Sequence, residues 1–179
     1  MKIFLLTFLC AGLFIACNNN VEEAAKIEEL KEEPVQAKEV SFPYAPSYSS
    51  DFSIGNPELT KVVLDIYKDV ESNRLDSLGK YFADSVHWRN YAETDVVLTR
   101  EGMVSKIKGF RARFREISET PLAFTALHAN DKNEDWVITW IKEHVTYANG
   151  KKDSTTYHES WRFKDGKIYL HDSYAKFKQ

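Results

Sequence analysis

The hydrophobic positions of the chain change their period once, near Pro121. Before it, apolar residues recur every three or four positions in most of the patterned segments, and after it they alternate with polar residues. The first period is that of an amphipathic helix, and the second is that of a strand with one buried face. The chain is therefore predicted to belong to the α+β class, with helices and a short hairpin followed by a curved meander of antiparallel strands.

Three helices are predicted before the change of period. Asn56 caps the first, Pro57 occupies its first turn, and its apolar positions run to Val70. A shorter helix over about residues 75–83 and two short strands, near 86–91 and 95–98, come next. Thr99 caps a third helix. Its predicted buried stripe contains Met103, Ile107, Phe110, Phe114 and Ile117.

Four strands are predicted near residues 123–130, 136–147, 152–163 and 167–175. Asn149-Gly150 and Asp165-Gly166 separate the last three strands and are strong hairpin signals. A two-residue turn fixes the register of the strands that it joins. The predicted register places Glu159 opposite both Trp140 and Asp172.

One face of this predicted sheet is aromatic but contains three charged side chains. Its members are Trp136, Ile138, Trp140, Lys142, Tyr157, Glu159, Trp161, Phe163, Ile168, Leu170, Asp172 and Tyr174. Rings with polar tips suit a pocket for a small apolar molecule, and a solid aromatic core is the alternative. Two opposed carboxyls away from water are expected to retain at least one proton between them. Alternatively, Lys142, Glu159 and Asp172 form a buried network that only stabilises the fold.

The opposite face is predicted to be half apolar. Val137, Thr139, Ile141 and Val145 form a stripe that would suit a homodimer through the outer face of the sheet. His158 and His171 are also assigned to this face. No third ligand accompanies them, so no metal and no cofactor is predicted.

The first residues indicate export. Lys2 precedes an apolar run over residues 3–16 that is too short to span a bilayer comfortably and is typical of a secretory signal. The stretch Phe14-Ile15-Ala16-Cys17 resembles the bacterial lipoprotein box, which implies a lipidated Cys17 anchored to a membrane. An ordinary signal peptide or a short anchor helix is the alternative. Asn18 lacks the acid that often retains lipoproteins at the inner membrane, so the outer membrane is favoured, on its periplasmic or surface side.

The predicted domain boundaries follow from composition. Residues 1–16 form the signal, residues 17–53 a linker, and residues 54–179 one domain. Residues 18–53 contain eight acids against three lysines, together with prolines and serines, which is typical of a solvated spacer. The domain is then close to neutral, and no nucleic-acid partner is predicted.

Two stretches, "LTKVVLDIYKDVESNRLDSLGKYFADSVHW" and "HESWRFKDGKIYLHDSY", resemble the nuclear transport factor 2-like superfamily, which includes ketosteroid isomerase and the SnoaL-like cyclases. The resemblance covers residues 56–179 and implies a cone in which helices close a bent sheet around a pocket. It implies that Tyr67 and Glu159 take the places of the isomerase's oxyanion donors. Asn90 stands where the isomerase has its aspartate base, so Asp172 is the nearest substitute.

The resemblance leaves three functions open, because members of the superfamily differ in what they do. The first is a lipid-anchored binder of a small, largely apolar molecule. The second is an acid/base isomerase, cyclase or dehydratase, with Asp172 as base and Glu159 and Tyr67 as donors. The third is a non-catalytic dimerisation or interaction module. The predicted ligand contacts are Tyr67, Trp88, Asn90, Trp136, Trp140, Lys142, Tyr157, Glu159, Trp161, Asp172 and Tyr174.

Overall fold

A computed structural model describes residues 41–90 and 93–176 of the chain. The predicted signal, Cys17 and most of the linker lie outside these residues. The described elements are two α-helices, α1 (Pro57–Glu71) and α2 (Arg100–Arg111), and seven strands, β1 (Phe52–Ile54), β2 (Phe82–Asn90), β3 (Glu93–Thr99), β4 (Phe114–Ala129), β5 (Glu134–Tyr147), β6 (Lys152–Lys164) and β7 (Lys167–Lys176).

The seven strands form a single sheet in the order β1-β4-β5-β6-β7-β2-β3. Every neighbouring pair is antiparallel except β2 and β7, which are parallel. The predicted α+β class is confirmed. The sheet is not closed, because β1 and β3 remain at its two edges.

The helices begin where the sequence predicts. Asn56 accepts a hydrogen bond from the Glu58 backbone N–H at 2.9 Å, and Thr99 accepts one from Gly102 at 3.1 Å. The predicted second helix is only a 3₁₀ turn, Leu78–Tyr81, and β2 starts directly after it. The described part of the chain therefore contains two α-helices and not three.

The prediction that Phe114 and Ile117 belong to the third helix is wrong. Helix α2 ends at Arg111, and both residues lie on β4, where they are buried. A bulge between Phe114 and Glu116 adds one residue to the strand. Residues three apart thereby face the same side, and this spacing imitates a helical stripe.

The predicted pairing of β5 with β6 is wrong by one residue. Asn149-Gly150 belongs to a three-residue loop, Ala148 to Gly150, because Gly150 N–H donates to the Tyr147 carbonyl at 2.9 Å and Thr146 pairs with Lys152. Gly150 has a φ of 82°, which is the left-handed residue that such loops require. One additional loop residue turns every β5 side chain to the other face.

The Asp165-Gly166 turn is confirmed, and both residues have positive φ, as the tightest hairpins require. Phe163 pairs with Ile168 as predicted. A bulge follows, because Arg162 pairs with Leu170 and leaves Tyr169 as the additional residue of β7. From that point onward the residues of β7 lie on the opposite face to the predicted one.

These shifts decide which residues lie inside. The inner face of β5 contains Val137, Thr139, Ile141, Glu143 and Val145, all of them buried. The stripe predicted for a homodimer is therefore wrong, because its members pack within the chain. Val63 and Ile66 of α1, Met103 of α2 and Phe163 of β6 lie in the same core. No helix in the described ranges is long and apolar enough to cross a membrane.

Candidate functional site

A buried hydrogen-bond network joins α1 to the middle of the sheet. The Tyr67 hydroxyl donates a short hydrogen bond to the Glu159 carboxylate, and it lies 2.9 Å from the Thr139 hydroxyl. Thr139 and Glu159 are directly opposed on β5 and β6, so one tyrosine from the helix reaches both. The predicted proximity of Tyr67 and Glu159 is thus present.

His171 is the partner of Glu159 that the sequence did not predict. Its Nε2 lies 3.4 Å from Glu159 Oε1, at ion-pair distance but without hydrogen-bond geometry. The imidazole is 1 % exposed. It lies on the inner face because the Tyr169 bulge places it opposite Trp161.

Three rings form a row beside this pair, and we call Trp88, His171 and Trp161 the aromatic row. The imidazole centroid lies 4.3 Å from that of Trp88 and 4.0 Å from that of Trp161. Trp161 is 4 % exposed, whereas Trp88 is only partly buried. The row therefore runs from the core to the surface.

The aromatic row contains polar atoms without partners. The indole N–H of Trp88, the indole N–H of Trp161 and both ring nitrogens of His171 are buried and make no hydrogen bond within the described residues. A buried donor left unpaired costs about 1–3 kcal/mol. Such atoms are concentrated at few places in a folded protein, and functional sites are among them.

Glu159 is charged in this environment. Burial alone would raise its pKa, but the adjacent His171, with further help from the Tyr67 hydroxyl, lowers the pKa below the ordinary value. The sequence predicts a proton shared by Glu159 and Asp172, but the two carboxyls are not opposed, so this pair does not form. Burial and the negative charge of Glu159 raise the pKa of Tyr67 well above its usual value, so the phenol keeps its proton.

Asp172 does not join Glu159, and this prediction is wrong. Ser173 is the residue opposite Glu159, and Asp172 pairs with Ser160. The Asp172 side chain lies on the other face of the sheet, 3.8 Å from Arg89. An acid/base site built from Asp172, Glu159 and Tyr67 is consequently not assembled.

The other predicted contacts divide between the two faces. Trp88, Asn90, Tyr157 and Trp161 share the inner face with Glu159, and Asn90 pairs with the inner-facing Ser173. The outward-facing group consists of Trp136, Trp140, Lys142 and Tyr174. Trp140 and Tyr174 are exposed. A homodimer through this outer face remains a prediction.

Trp136 is part of a separate outer cluster. Arg162 lies over its ring, with the guanidinium carbon 3.9 Å from the centroid, and Tyr48 covers the same arginine at 4.7 Å. Phe52 packs on the edge of the Trp136 ring. The residues just before α1 therefore pack on the outer face of the sheet.

The prediction that both histidines lie on the outer face is correct for His158 and wrong for His171. His158 is exposed on the outer face, where its ring stacks on Trp140 at 4.9 Å, whereas His171 is inside. The two do not share a site. Within residues 41–90 and 93–176, no three His, Cys, Asp or Glu side chains are arranged to hold a metal ion.

The sequence also does not predict two acids on the inner face, of which Glu143 is buried and Glu119 is half-buried. Glu119 of β4 and Glu143 of β5 are directly opposed on the inner face. Alternation along β5 would have identified Glu143 had the loop length been known. The bulge at Tyr169, which places His171, has no comparable signal in the sequence.

Two surface cavities lie away from the aromatic row. One, of about 410 Å³, lies between β1, α1 and β4 and is lined by Ile54, Thr60, Leu64 and Phe124 among others. The second, of about 370 Å³, is lined by residues of β4, β5 and β6, including His144. Neither includes Tyr67, Glu159 or His171.

Comparison with known proteins agrees with this architecture. Residues 63–171 match the profile of the family described as SnoaL-like domain. Among curated proteins, none matches the sequence significantly.

Solved structures have the same fold at low sequence identity. AusH from Aspergillus nidulans is 13 % identical, with a TM-score of 0.55 over 71 % of this chain and 89 % of that one. An LEH-like epoxide hydrolase from M. tuberculosis is 12 % identical, with a TM-score of 0.55 over 66 % and 83 %. A protein with a ketosteroid isomerase-like fold from Catenulispora acidiphila, in complex with trimethylamine, is 16 % identical, with a TM-score of 0.52 over 64 % and 84 %.

Proposed function

Because the chain belongs to the family of SnoaL-like domains, we propose that it binds a small, largely apolar molecule that carries a hydrogen-bond acceptor such as a carbonyl oxygen. The ligand would lie against the aromatic row and present its acceptor to the unpaired ring N–H groups. Family membership alone does not select this function, because one fold serves several. The support is in the site.

The observation that carries the proposal is the burial of His171 between two indoles with neither ring nitrogen hydrogen-bonded. A ligand acceptor would relieve the cost of leaving such donors unpaired. Glu159 is already charged and held by Tyr67 and His171. A second negative charge beside it would be repelled, so a neutral acceptor fits better than an anion.

A matched pair of ligands tests the proposal. 2-Acetylnaphthalene carries a carbonyl, and 2-ethylnaphthalene has nearly the same shape without it. The full-length chain should bind the ketone on the order of 3–10-fold more tightly, which is the value of one additional hydrogen bond. Trp88→Phe and Trp161→Phe keep an aromatic ring but remove the N–H group, and one of them should reduce this preference.

The control is Trp140→Phe, because Trp140 is exposed on the outer face. It should leave the preference unchanged. Equal binding of the two naphthalenes, or a preference that survives both inner substitutions, contradicts the proposal.

A second candidate is an acid/base enzyme in which His171 carries the proton. The observation that favours it is the contact of His171 with Glu159, because a carboxylate orients a neighbouring imidazole. Such an enzyme would accelerate exchange of the methyl protons of 2-acetylnaphthalene with deuterated water, and His171→Asn would abolish this. Binding without accelerated exchange would favour the binder over the enzyme.

We also propose that Cys17 is lipidated and tethers the domain to a bacterial membrane, with the outer membrane favoured. The support is the apolar run over residues 3–16 followed by Cys17. Labelled palmitate should be incorporated into the wild-type chain but not into Cys17→Ser. Equal labelling of the two chains would reject the anchor while leaving the ligand proposal untouched.

A further inference from the structure

Glu119 and Glu143 form a carboxyl pair at a different part of the inner face from the aromatic row. They are direct neighbours across the β4–β5 pairing. Directly opposed residues of antiparallel strands have Cβ atoms about 5 Å apart, where two negative charges are destabilising. Glu143 is 8 % exposed, and one carboxyl oxygen of Glu119, Oε2, is buried without a hydrogen-bond partner in the described residues.

The surroundings of the pair add more negative than positive charge. Glu71 of α1 faces Glu119, and its carboxylate accepts the Glu119 backbone N–H at 2.6 Å. The negative charge of Glu159 on β6 raises the pKa of both acids of the pair. Three groups favour a charged Glu143: Glu119, through a side-chain hydrogen bond, then Arg113, which follows α2, and the Tyr157 hydroxyl. Lys68 pairs with Glu71 at 2.6 Å and is itself exposed.

We propose that Glu119 and Glu143 share a proton at neutral pH and that this proton is a pH-sensitive latch between β4, β5 and α1. While it is bound, the two carboxyls attract each other and hold β4 in place, and the Glu119 N–H stays on Glu71. Its loss leaves two opposed, poorly hydrated charges beside Glu71 and Glu159, and the strand loosens locally.

The direction of titration agrees with this geometry. Burial, followed by the charges of Glu143 and Glu159, raises the pKa of Glu119 to about 9. Burial and the charge of Glu159 raise the pKa of Glu143 to about 7. The pair titrates as a unit. The first proton leaves the pair near pH 7 and the shared one near pH 9. The latch is thus closed at neutral pH and opens as the pH rises toward about 9.

Urea unfolding of the full-length chain at about pH 6 and about pH 9 tests the latch. A proton retained only in the folded state lowers the folded-to-unfolded ratio by up to about tenfold for each pH unit of increase. The ratio of the wild type should fall at least about tenfold over this range. Glu119→Gln and Glu143→Gln should show a clearly smaller fall, because an amide does not titrate.

Glu116→Gln is the matched control. Glu116 lies on the same strand, and its side chain is 67 % exposed. In this variant the folded-to-unfolded ratio should fall between about pH 6 and about pH 9 by as much as in the wild type. Hydrogen exchange at the Glu119 amide, corrected for its intrinsic pH dependence, should accelerate between the two pH values in the wild type but not in Glu143→Gln. The proposal would be overturned if the folded-to-unfolded ratio fell equally in the wild type, Glu119→Gln and Glu143→Gln.

A second measurement needs no substitution and serves if a variant fails to fold. Carbon-13 NMR of the glutamate carboxyls in the wild type should show two that titrate above about pH 6. Titration of every glutamate below that value would overturn the proposal.

Discussion

Trp161 of β6 lies opposite His171 of β7, with ring centroids 4.0 Å apart. This contact exists because Tyr169 bulges out of β7 and brings the imidazole to the inner face. Without the bulge, Leu170 would lie opposite Trp161, and Asp172 would lie on the inner face opposite Glu159. One additional residue in a strand thus decides whether Glu159 faces a second acid or a base, and with it the charge of the buried site.

The hydroxyl of Tyr67 should be important for stability. Tyr67→Phe removes the donor to Glu159 and the contact with Thr139 but leaves the ring, which packs against Trp161 at 6.1 Å. We expect the free energy of unfolding to fall by about 1–3 kcal/mol, because a buried carboxylate loses a hydrogen bond. Urea unfolding at neutral pH measures this.

The control is Tyr174→Phe, since Tyr174 is 64 % exposed on the outer face. Its effect should stay within about 0.5 kcal/mol. Equal effects of the two substitutions would show that the Tyr67–Glu159 bond has no special value.

Glu159 should contribute to stability at neutral pH and lose that contribution in acid. Its pKa in the folded protein is lowered below the ordinary 4.5, chiefly by His171 against the opposing effect of burial. The unfolded state therefore takes up the proton first, and the contribution disappears as the pH falls below about 4.5. The stability difference between the wild type and Glu159→Gln should narrow between about pH 5 and about pH 3.

Other carboxyls with a lowered pKa, such as those of Asp76 and Asp95, titrate in both proteins. Only the difference in stability between the two proteins is therefore informative. A difference that is constant or widens toward acid would mean that Glu159 is not held charged in the fold.

Two isoleucines of β5 report which face of the strand is buried. Ile141 is 2 % exposed on the inner face, whereas Ile138 is half-buried on the outer face. Ile141→Ala should lower the free energy of unfolding by about 2–5 kcal/mol, and Ile138→Ala by clearly less. The reverse order in thermal or urea unfolding would support the register of a two-residue turn at Asn149-Gly150.

Two glycines with open space around them should respond in opposite directions to the same substitution. No atom lies within 4 Å of a Cβ added at Gly109 or Gly150, but Gly150 has a φ of 82° and Gly109 lies within α2. Gly109→Ala should stabilise by about 0.5–1 kcal/mol through higher helix propensity. Gly150→Ala should destabilise by about 1 kcal/mol, because alanine is strained at positive φ. Shifts of melting temperature with the same sign would refute this account of the loop.

The sequence predicts the fold class, both α-helices and the tight turn at Asp165-Gly166, because capping residues, helical periodicity and turn chemistry are local. It does not predict the bulges in β4 and β7 or the three-residue loop. Their cost is small, and it is offset by packing between residues far apart in the chain. Tyr67, Trp88, Glu159 and Trp161 were placed correctly inside. His171 and Asp172 were exchanged by the bulge at Tyr169.

The aromatic row as a ligand site is tested most directly by the indole N–H signals of the four tryptophans. In a ¹H–¹⁵N NMR spectrum of the full-length chain, single Trp→Phe variants assign each signal. Addition of 2-acetylnaphthalene should shift the signals of Trp88 and Trp161, which lie in the row, and leave those of Trp136 and Trp140 on the outer face in place. Shifts confined to Trp136 and Trp140, or no shift at a saturating concentration of the ketone, would contradict it.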